Sequence, residues 1–392
     1  MSGDSLRIGF IPLADAAALI VAADRGFAAK EGLLLDLVRE VSWSNVRDKL
    51  NIGLFDAAHL LAPVAIASSL GIGHIKMPLL VPFVLGANGN AITVSPALYS
   101  ALALAADGGD VSDPRVSARA LARVVTERRK RGADPLTFGM TFPFSCHNYL
   151  LRFWMAAGGV DPDEDIRLVV LPPPYMVDSL SSRQVDGFCV GAPWNSVAVE
   201  LGIGHILHFG TDIFAQAPEK VLAVRAAWSA NREDVLKRLV SALEQAAAFI
   251  NDPRNLDEVV ALLAAPARIG VSAELLERTL KGRLRVAPGE TFRGDPDYIL
   301  IGRNGSARPD PSDAAWLYAQ MVRWQQAPWS PDLLSAAKAC FRADIYEASR
   351  VVSAGSSSVA AQHFRAFTGP NFDPGDIPGY LAALQTTSKS RL

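Results

Sequence analysis

Thr141-Phe-Pro-Phe-Ser-Cys-His147, followed by Asn148-Tyr-Leu-Leu-Arg-Phe-Trp-Met-Ala-Ala157 and Gly158-Gly159, is the stretch of this chain that decides most about its fold. Its pattern predicts the end of a strand, a polar turn and a helix over residues 146–157 with a histidine in the first turn. The first N–H groups of a helix lack backbone partners and carry partial positive charge, so small anions bind there readily. The segment therefore indicates an anion site that includes His147, unless this histidine only caps its own helix.

Strand-like and helix-like patterns alternate on both sides of this segment. Residues 6–11, 33–40 and 55–61 have the apolar patterns of strands, and helical patterns separate them. Strands joined by helices pair in parallel, and such sheets bind ligands beyond the carboxyl ends of their strands. Asp15 comes shortly after the first strand, and we expect it to cap the next helix. A second alternating block spans residues 137–191.

The order of these blocks predicts a two-lobed α/β clamshell with a ligand cleft between the lobes. Each lobe is expected to be a mostly parallel sheet flanked by helices. Residues 1–91 and 197–392 would form lobe I, which includes a helical C-terminal extension, and residues 92–196 would form lobe II. A flexible joint is expected at residues 353–358, where serine predominates.

The bulk composition argues against several classes of protein. The chain has 392 residues and a formal net charge of −2, so no basic field favours direct nucleic-acid binding. Its three cysteines are far apart, which favours neither a disulfide framework nor a zinc site. The first residues lack an export pattern, and the apolar run 16–23 is too short to span a bilayer. We therefore expect a cytoplasmic protein that does not associate with membranes.

Catalytic patterns are absent from the sequence. It contains no G-x-S-x-G, H-E-x-x-H or Walker lysine motif. Cys146 and His147 are adjacent at a helix start, where neighbouring side chains diverge by about 100°. They therefore form a poor nucleophile–base pair with each other, although Cys146 acting with His59 stays open as an alternative.

The chain offers a set of hydrogen-bond donors instead. Trp43 has an indole N–H, Asn90 an amide, His147 an imidazole and Lys220 an ammonium group. Donors without a nucleophile or a metal favour the capture of a small planar anion over its conversion. Each residue could instead have a structural role that involves no ligand. Trp43 would then belong to a hydrophobic core, Asn90 to a turn and Lys220 to the surface.

Several short runs along residues 6–228 match a known family in their order. These runs are Gly9-Phe-Ile-Pro-Leu-Ala-Asp15, Ser42-Trp43, Asp56-Ala-Ala-His-Leu60, Thr141-Phe-Pro143 with His147, Trp154-Met-Ala-Ala-Gly-Gly159, Pro172-Pro-Pro174, Phe188-Cys-Val-Gly191 with Pro193-Trp-Asn195, and Pro218-Glu-Lys220. They resemble the nitrate- and bicarbonate-binding protein family, which has a type II periplasmic-binding-protein-like fold.

Within that family the chain is most similar to the cytoplasmic nitrate/nitrite sensors of bacterial nitrate assimilation. The resemblance implies a protein without cofactor or metal whose ligand is nitrate or nitrite. The site residues would be Trp43, Asn90, His147 and Lys220, with His59, Cys146 and Trp194 around them. It also implies a partner, the ANTAR-type RNA-binding antiterminator NasT, which the sensor holds inactive and releases when the anion binds.

Three departures from the family pattern affect this site. Asn90 stands where nitrate receptors commonly have glutamine, Phe144-Ser-Cys146 replaces a glycine-rich turn, and Ala192 replaces a glutamate. The sequence shows no carboxylate cluster that would hold calcium, so we expect an anion site without a metal. Two other functions stay open: the solute-binding component of an ABC transporter for a small anion or sulfonate, and an enzyme of the same fold that uses Cys146.

Overall fold

The chain divides into two compact units in the computed structural model, which describes residues 3–289, 291–350 and 365–389. The first unit comprises Met1–Asn88, Pro218–Lys281 and Ile299–Ala360, and the second unit comprises Gly89–Ala217, Gly282–Tyr298 and Ala361–Leu392. The joint that we predicted at residues 353–358 lies outside the described residues.

Strands and helices alternate through most of the described chain. The strands are β1 Asp4–Phe10, β2 Leu33–Arg39, β3 Ala57–Leu61, β4 Leu79–Asn88, β5 Asn90–Val94, β6 Thr137–Met140, β7 Arg167–Val170, β8 Gly187–Gly191, β9 His205–Phe209, β10 Pro218–Arg225, β11 Arg283–Arg285, β12 Phe292–Gly294 and β13 Ile299–Leu300. The helices are α1 Ala17–Asp24, α2 Phe27–Lys30, α3 Trp43–Asn51, α4 Ala62–Leu70, α5 Pro96–Ala105, α6 Pro114–Lys130, α7 Cys146–Ala157, α8 Met176–Ser181, α9 Trp194–Glu200, α10 Gly210–Ile213, α11 Ala226–Ala230, α12 Glu233–Asn251, α13 Leu256–Ala264, α14 Ala273–Leu280, α15 Pro311–Arg323, α16 Pro331–Cys340, α17 Ala343–Ser349 and α18 Ile377–Lys389.

Each unit has one large sheet, and both large sheets are mixed rather than mostly parallel as predicted; the second unit also has a small antiparallel sheet of β11 and β12. The order is β13-β4-β10-β3-β1-β2 in the first unit and β7-β6-β8-β5-β9 in the second. The parallel pairs are β1 with β2 and β3, and β6 with β7 and β8. The strands β10 and β5 run antiparallel to both of their neighbours. The chain passes from one unit to the other directly before each of these two strands. Neither strand is therefore connected to a neighbour in its sheet by the helical crossover that parallel pairing requires.

The boundaries of the units differ from the predicted ones. Residues 197–217 belong to the second unit rather than to lobe I, because β9 pairs with β5 over Ala91↔Phe209 to Val94↔His205. The first crossing falls at Gly89 rather than after residue 91, since β5 begins at Asn90. The C-terminal extension was predicted to belong to lobe I, but its last helix α18 belongs to the second unit.

Local patterns determined the elements that surround the candidate residues. The helix α7 has the predicted bounds, and Ser145 begins it by accepting a hydrogen bond from the N–H of Asn148. The apolar face of α12 is buried in the first unit, as its periodicity of three and four residues predicts. Among the described residues, no helix combines the length and the apolar character that a membrane span requires.

Candidate functional site

In the first unit, Lys220 lies at the centre of a buried charged cluster. Its Nζ is 3.1 Å from Asp15 Oδ2 and 3.2 Å from Glu219 Oε2, and all three side chains are at most 2% exposed. The pairing of β10 with β4 shifts between Pro218 and Lys220, so Glu219 occupies a β-bulge. A bulge changes the alternation of side chains along a strand, which explains how two consecutive residues contact each other.

A glycine on β4 gives Asp15 its place in this charged cluster. Gly86 is the register partner of Lys220, and a Cβ at Gly86 would lie only 2.7 Å from the Cβ of Asp15. We expected Asp15 to cap a helix, but neither the short turn Ala14–Ala16 nor α1 has a side-chain cap. The carboxylate of Asp15 contacts Lys220 and His59 instead.

His59 extends the charged cluster towards Trp43. Its Nε2 lies 2.9 Å from Asp15 Oδ1, and its Nδ1 accepts a hydrogen bond of 3.4 Å from the N–H of Ile11. Because Nδ1 accepts this bond, Nε2 carries a proton, which faces Asp15.

The charges of the cluster persist across neutral pH. Burial raises the pKa of Asp15, but the Lys220 ammonium and the His59 ring outweigh burial and lower this pKa below its ordinary value of 3.8. Burial lowers the pKa of Lys220, but Asp15 and Glu219 outweigh burial and raise this pKa above its ordinary value of 10.5. Near pH 7 the ion pairs are therefore intact.

Trp43 is the first residue of α3, which Ser42 begins by accepting a hydrogen bond from the N–H of Asn45. Its ring meets the ring of His59 edge to face, with the centroids 5.3 Å apart. The indole Nε1 of Trp43 is buried and has no hydrogen-bond partner among the described residues. A buried donor in this state destabilises the protein by about 1–3 kcal/mol, which an oxygen of a ligand would relieve.

Lys220 is not a lone cation, because two carboxylates pair with it. Lys220 is fully buried, so the surface alternative is also excluded. Sequence reasoning missed Asp15 and Glu219 as its partners, although both belong to the family-like runs quoted above. The sequence does place Glu219 next to Lys220, which could have indicated the ion pair. In a regular strand, however, consecutive side chains point to opposite faces, so the sequence did not predict this contact.

In the second unit, His147 lies in the first turn of α7 and is fully buried. Its Nδ1 is 3.0 Å from Thr141 Oγ1, a contact that fixes the orientation of the ring. Ser145 is the capping residue, and its hydroxyl also donates to the carbonyl of Phe142 over 2.6 Å. The structure therefore excludes the alternative that His147 only caps its own helix.

The other candidates of the second unit lie on separate elements. Asn90 is buried at the start of β5, opposite Gly191 of β8, rather than in a turn. Cys146 is the first residue of α7 and is fully buried. Trp194 begins α9 and packs against the apolar cluster around Met176 and Phe188, which is a core role.

A further buried histidine of the second unit was not among our candidates. The Nε2 of His208 is 2.6 Å from Ser117 Oγ, which also accepts a hydrogen bond of 3.0 Å from the indole of Trp154. Burial lowers the pKa of His208 to about 4. His208 is therefore neutral at pH 7 and contributes no charge to a site.

The charged cluster does not have the composition of a metal site. Among the described residues, no group of three or more histidine, cysteine, aspartate or glutamate side chains could hold a metal ion. The ammonium of Lys220 lies between the two carboxylates, where a cation would otherwise bind. The charged cluster therefore does not fit a calcium ion, which binds through many oxygen ligands.

Comparison with known proteins defines the family. The pattern of the NMT1-like family matches residues 2–264, and the chain belongs to this family. The nitrate import ATP-binding protein NrtC of Synechocystis sp. is 32% identical over 386 residues, which are 96% of this chain and 54% of NrtC. The chain thus spans about half the length of that relative.

Two comparisons involve nitrate-binding proteins. The nitrate/nitrite binding protein NrtA of Synechococcus elongatus is 28% identical over 97% of this chain and 86% of NrtA. The crystal structure of the periplasmic nitrate-binding protein NrtA from Synechocystis PCC 6803 has a TM-score of 0.87 and 26% identity, covering 97% of this chain and 98% of that chain. The chain therefore has the α/β fold of periplasmic binding proteins. These NrtA relatives are named as binding proteins and not as enzymes, in agreement with the prediction that this protein is not an enzyme.

Proposed function

We propose that this protein is a cytoplasmic nitrate/nitrite sensor of the NasS type that uses no cofactor. The observation that carries this proposal is the unsatisfied indole N–H of Trp43, which lies next to His59 and thereby to the charged cluster. A buried donor near a cation has the chemistry that an oxyanion needs. Membership of the NMT1-like family and the similarity to nitrate-binding proteins support nitrate or nitrite as this anion.

The proposed ligands are the four residues that the family resemblance predicted. Lys220 and His147 would stabilise the negative charge, while Trp43 and Asn90 would fix the plane of the anion. A hydrogen bond to a charged group contributes about 1.5–3 kcal/mol, so a few such bonds hold a small anion. The cluster keeps Lys220 protonated in a buried environment, and it also reduces the net attraction that Lys220 exerts on an anion.

The proposed consequence of binding is the release of NasT. The protein without ligand would sequester this antiterminator, and the anion would favour a state that no longer binds it. Shifting such an equilibrium from 1:99 to 99:1 requires a preference of about 5.5 kcal/mol. Two or more hydrogen bonds that form only in the favoured state would supply this difference.

The test is the variant Lys220→Ala, compared with Lys281→Ala. Lys281 is paired with Glu277 and is half exposed, so it controls for the loss of a lysine elsewhere. We expect Lys220→Ala to abolish nitrate binding in calorimetry and to retain NasT binding in a pull-down, while Lys281→Ala keeps both. Circular dichroism establishes that each variant is folded. Near-normal nitrate affinity in folded Lys220→Ala would refute the assignment.

A second candidate function is that of a solute-binding component of an ABC transporter. It is favoured by the similarity to the NrtA proteins and to NrtC, which is named as a nitrate import protein. Cell fractionation separates the two functions, because a sensor of NasT must be cytoplasmic and a periplasmic-type receptor must be exported. Titration with nitrate, nitrite, bicarbonate and sulfonates identifies the anion in either case.

A further inference from the structure

We propose that Asp15 and Glu219 make this protein selective for singly charged oxyanions over doubly charged ones such as sulfate. This inference rests on the proposed function, because it concerns the ligand that Lys220 would bind. It adds a role for two residues that the family resemblance did not assign to the site.

The argument begins with the charge of the cluster. Lys220 contributes one positive charge, and Asp15 and Glu219 contribute one negative charge each. These three side chains together carry a net charge of −1. They are at most 2% exposed, so water screens this charge poorly.

A cluster with this net charge opposes a second charge on the ligand. Coulomb energy is proportional to the charge of the ligand, so the two carboxylates repel a dianion twice as strongly as a monoanion at the same place. Burial adds to the difference, because a dianion loses more hydration energy on entering a site of low dielectric constant. The neutral indole donor of Trp43 cannot offset both effects. A lysine without carboxylate partners would instead favour the dianion.

Glu219 is the better residue for the test. Asp15 holds both Lys220 and His59, so its replacement disturbs two contacts of the cluster. Replacing Glu219 with glutamine keeps the size of the side chain and its ability to accept a hydrogen bond from Lys220, and removes one negative charge. Glu244→Gln is the matched control, since Glu244 lies on α12, is paired with Arg350 and is 26% exposed.

Perchlorate and sulfate are the appropriate probes, because both are tetrahedral and they differ in charge. Each is measured by its displacement of nitrate in calorimetry. We expect perchlorate to displace nitrate from the unmodified protein more effectively than sulfate does. In Glu219→Gln the ratio of the two dissociation constants should shift towards sulfate by at least about tenfold, or about 1.4 kcal/mol. Glu244→Gln should leave this ratio unchanged.

The outcomes separate this inference from the proposed function. If the unmodified protein binds no nitrate, both fall together. If it binds nitrate but the perchlorate-to-sulfate ratio is the same in Glu219→Gln, the selectivity has another origin and only the inference is overturned. The same holds if neither tetrahedral anion displaces nitrate, since shape alone then excludes them. Asp15→Asn provides the second variant should Glu219→Gln fail to fold, and it is expected to shift the ratio in the same direction.

Discussion

The two units present their candidate residues in different electrostatic settings. In both, a serine begins a helix, Ser42 for α3 and Ser145 for α7, and a candidate side chain lies in the first turn. In the first unit this side chain adjoins a cluster with three full charges, whereas in the second His147 contacts the neutral hydroxyl of Thr141. A buried charge requires compensation by its neighbours, so changes in the first unit should have larger effects than changes in the second.

The largest expected effect is on stability when the cation of the cluster is removed. Lys220→Met leaves two carboxylates buried without their partner and should lower the free energy of unfolding by about 3–5 kcal/mol. Lys281→Met is the control, because Lys281 is 53% exposed and its pair with the exposed Glu277 should contribute about 1 kcal/mol or less. Urea unfolding monitored by tryptophan fluorescence measures both. A loss below about 1 kcal/mol for Lys220→Met would show that the two carboxylates do not depend on this lysine.

The next effect is a pH dependence that distinguishes the units. The folded pKa of His208 is about 4 and its ordinary value is 6.5, so the unfolded chain binds the proton more readily. Stability should therefore decrease as the pH falls from 6.5 to 4, by about 3 kcal/mol, and His208→Gln should flatten this dependence.

Asp15 and Lys220 should contribute no slope within that pH window. The pKa of Asp15 is lowered, so its contribution is present above pH 3.8 and is lost as the pH falls through the folded pKa. The pKa of Lys220 is raised, so its contribution is present below pH 10.5 and is lost only as the pH rises through the folded value. Urea midpoints between pH 4.5 and 7 that keep their slope in His208→Gln would contradict the assignment to this histidine.

A smaller effect, on nitrate binding, is expected when the contact between Thr141 and His147 in the second unit is removed. Thr141→Val removes the hydroxyl next to His147 Nδ1 and should weaken nitrate binding by up to about tenfold, because the ring is then less well oriented. Thr126→Val is the control, since Thr126 is exposed on α6 and bonds only within its helix to Ala122. Calorimetry measures both variants. Equal nitrate affinities would show that Thr141 does not position the histidine.

The smallest effect compares the two helix caps. Ser42→Ala and Ser145→Ala each remove an N-cap hydrogen bond and should lower the free energy of unfolding by about 1 kcal/mol. The buried Ser145, which also bonds to Phe142, should lie at the upper end of the range. Ser330→Ala, which removes the cap of α16, is the comparison away from the candidate residues. Thermal unfolding ranks the three variants, and a larger loss for Ser42→Ala would reverse the expected order.

The sequence by itself determined the local elements and the family. The bounds of α7, the buried face of α12 and the parallel pairing of β1 with β2 follow from hydrophobic periodicity, caps and helical crossovers, which act over a few residues or one crossover. The runs that resemble nitrate- and bicarbonate-binding proteins identified a family that comparison confirmed. The proposed ligand set and the partner stay predictions that binding experiments must test.

Only the tertiary structure decided the environment of Lys220. Asp15 lies 205 positions before Lys220 in the chain, and no local pattern links them. Their contact depends on the pairing of β10 with β4, on the bulge at Glu219 and on the absence of a side chain at Gly86. The mixed sheets and the second crossing at Pro218 have the same origin. Strand pairing joins distant segments through backbone hydrogen bonds that every sequence offers, so the partners are selected only when the whole unit packs.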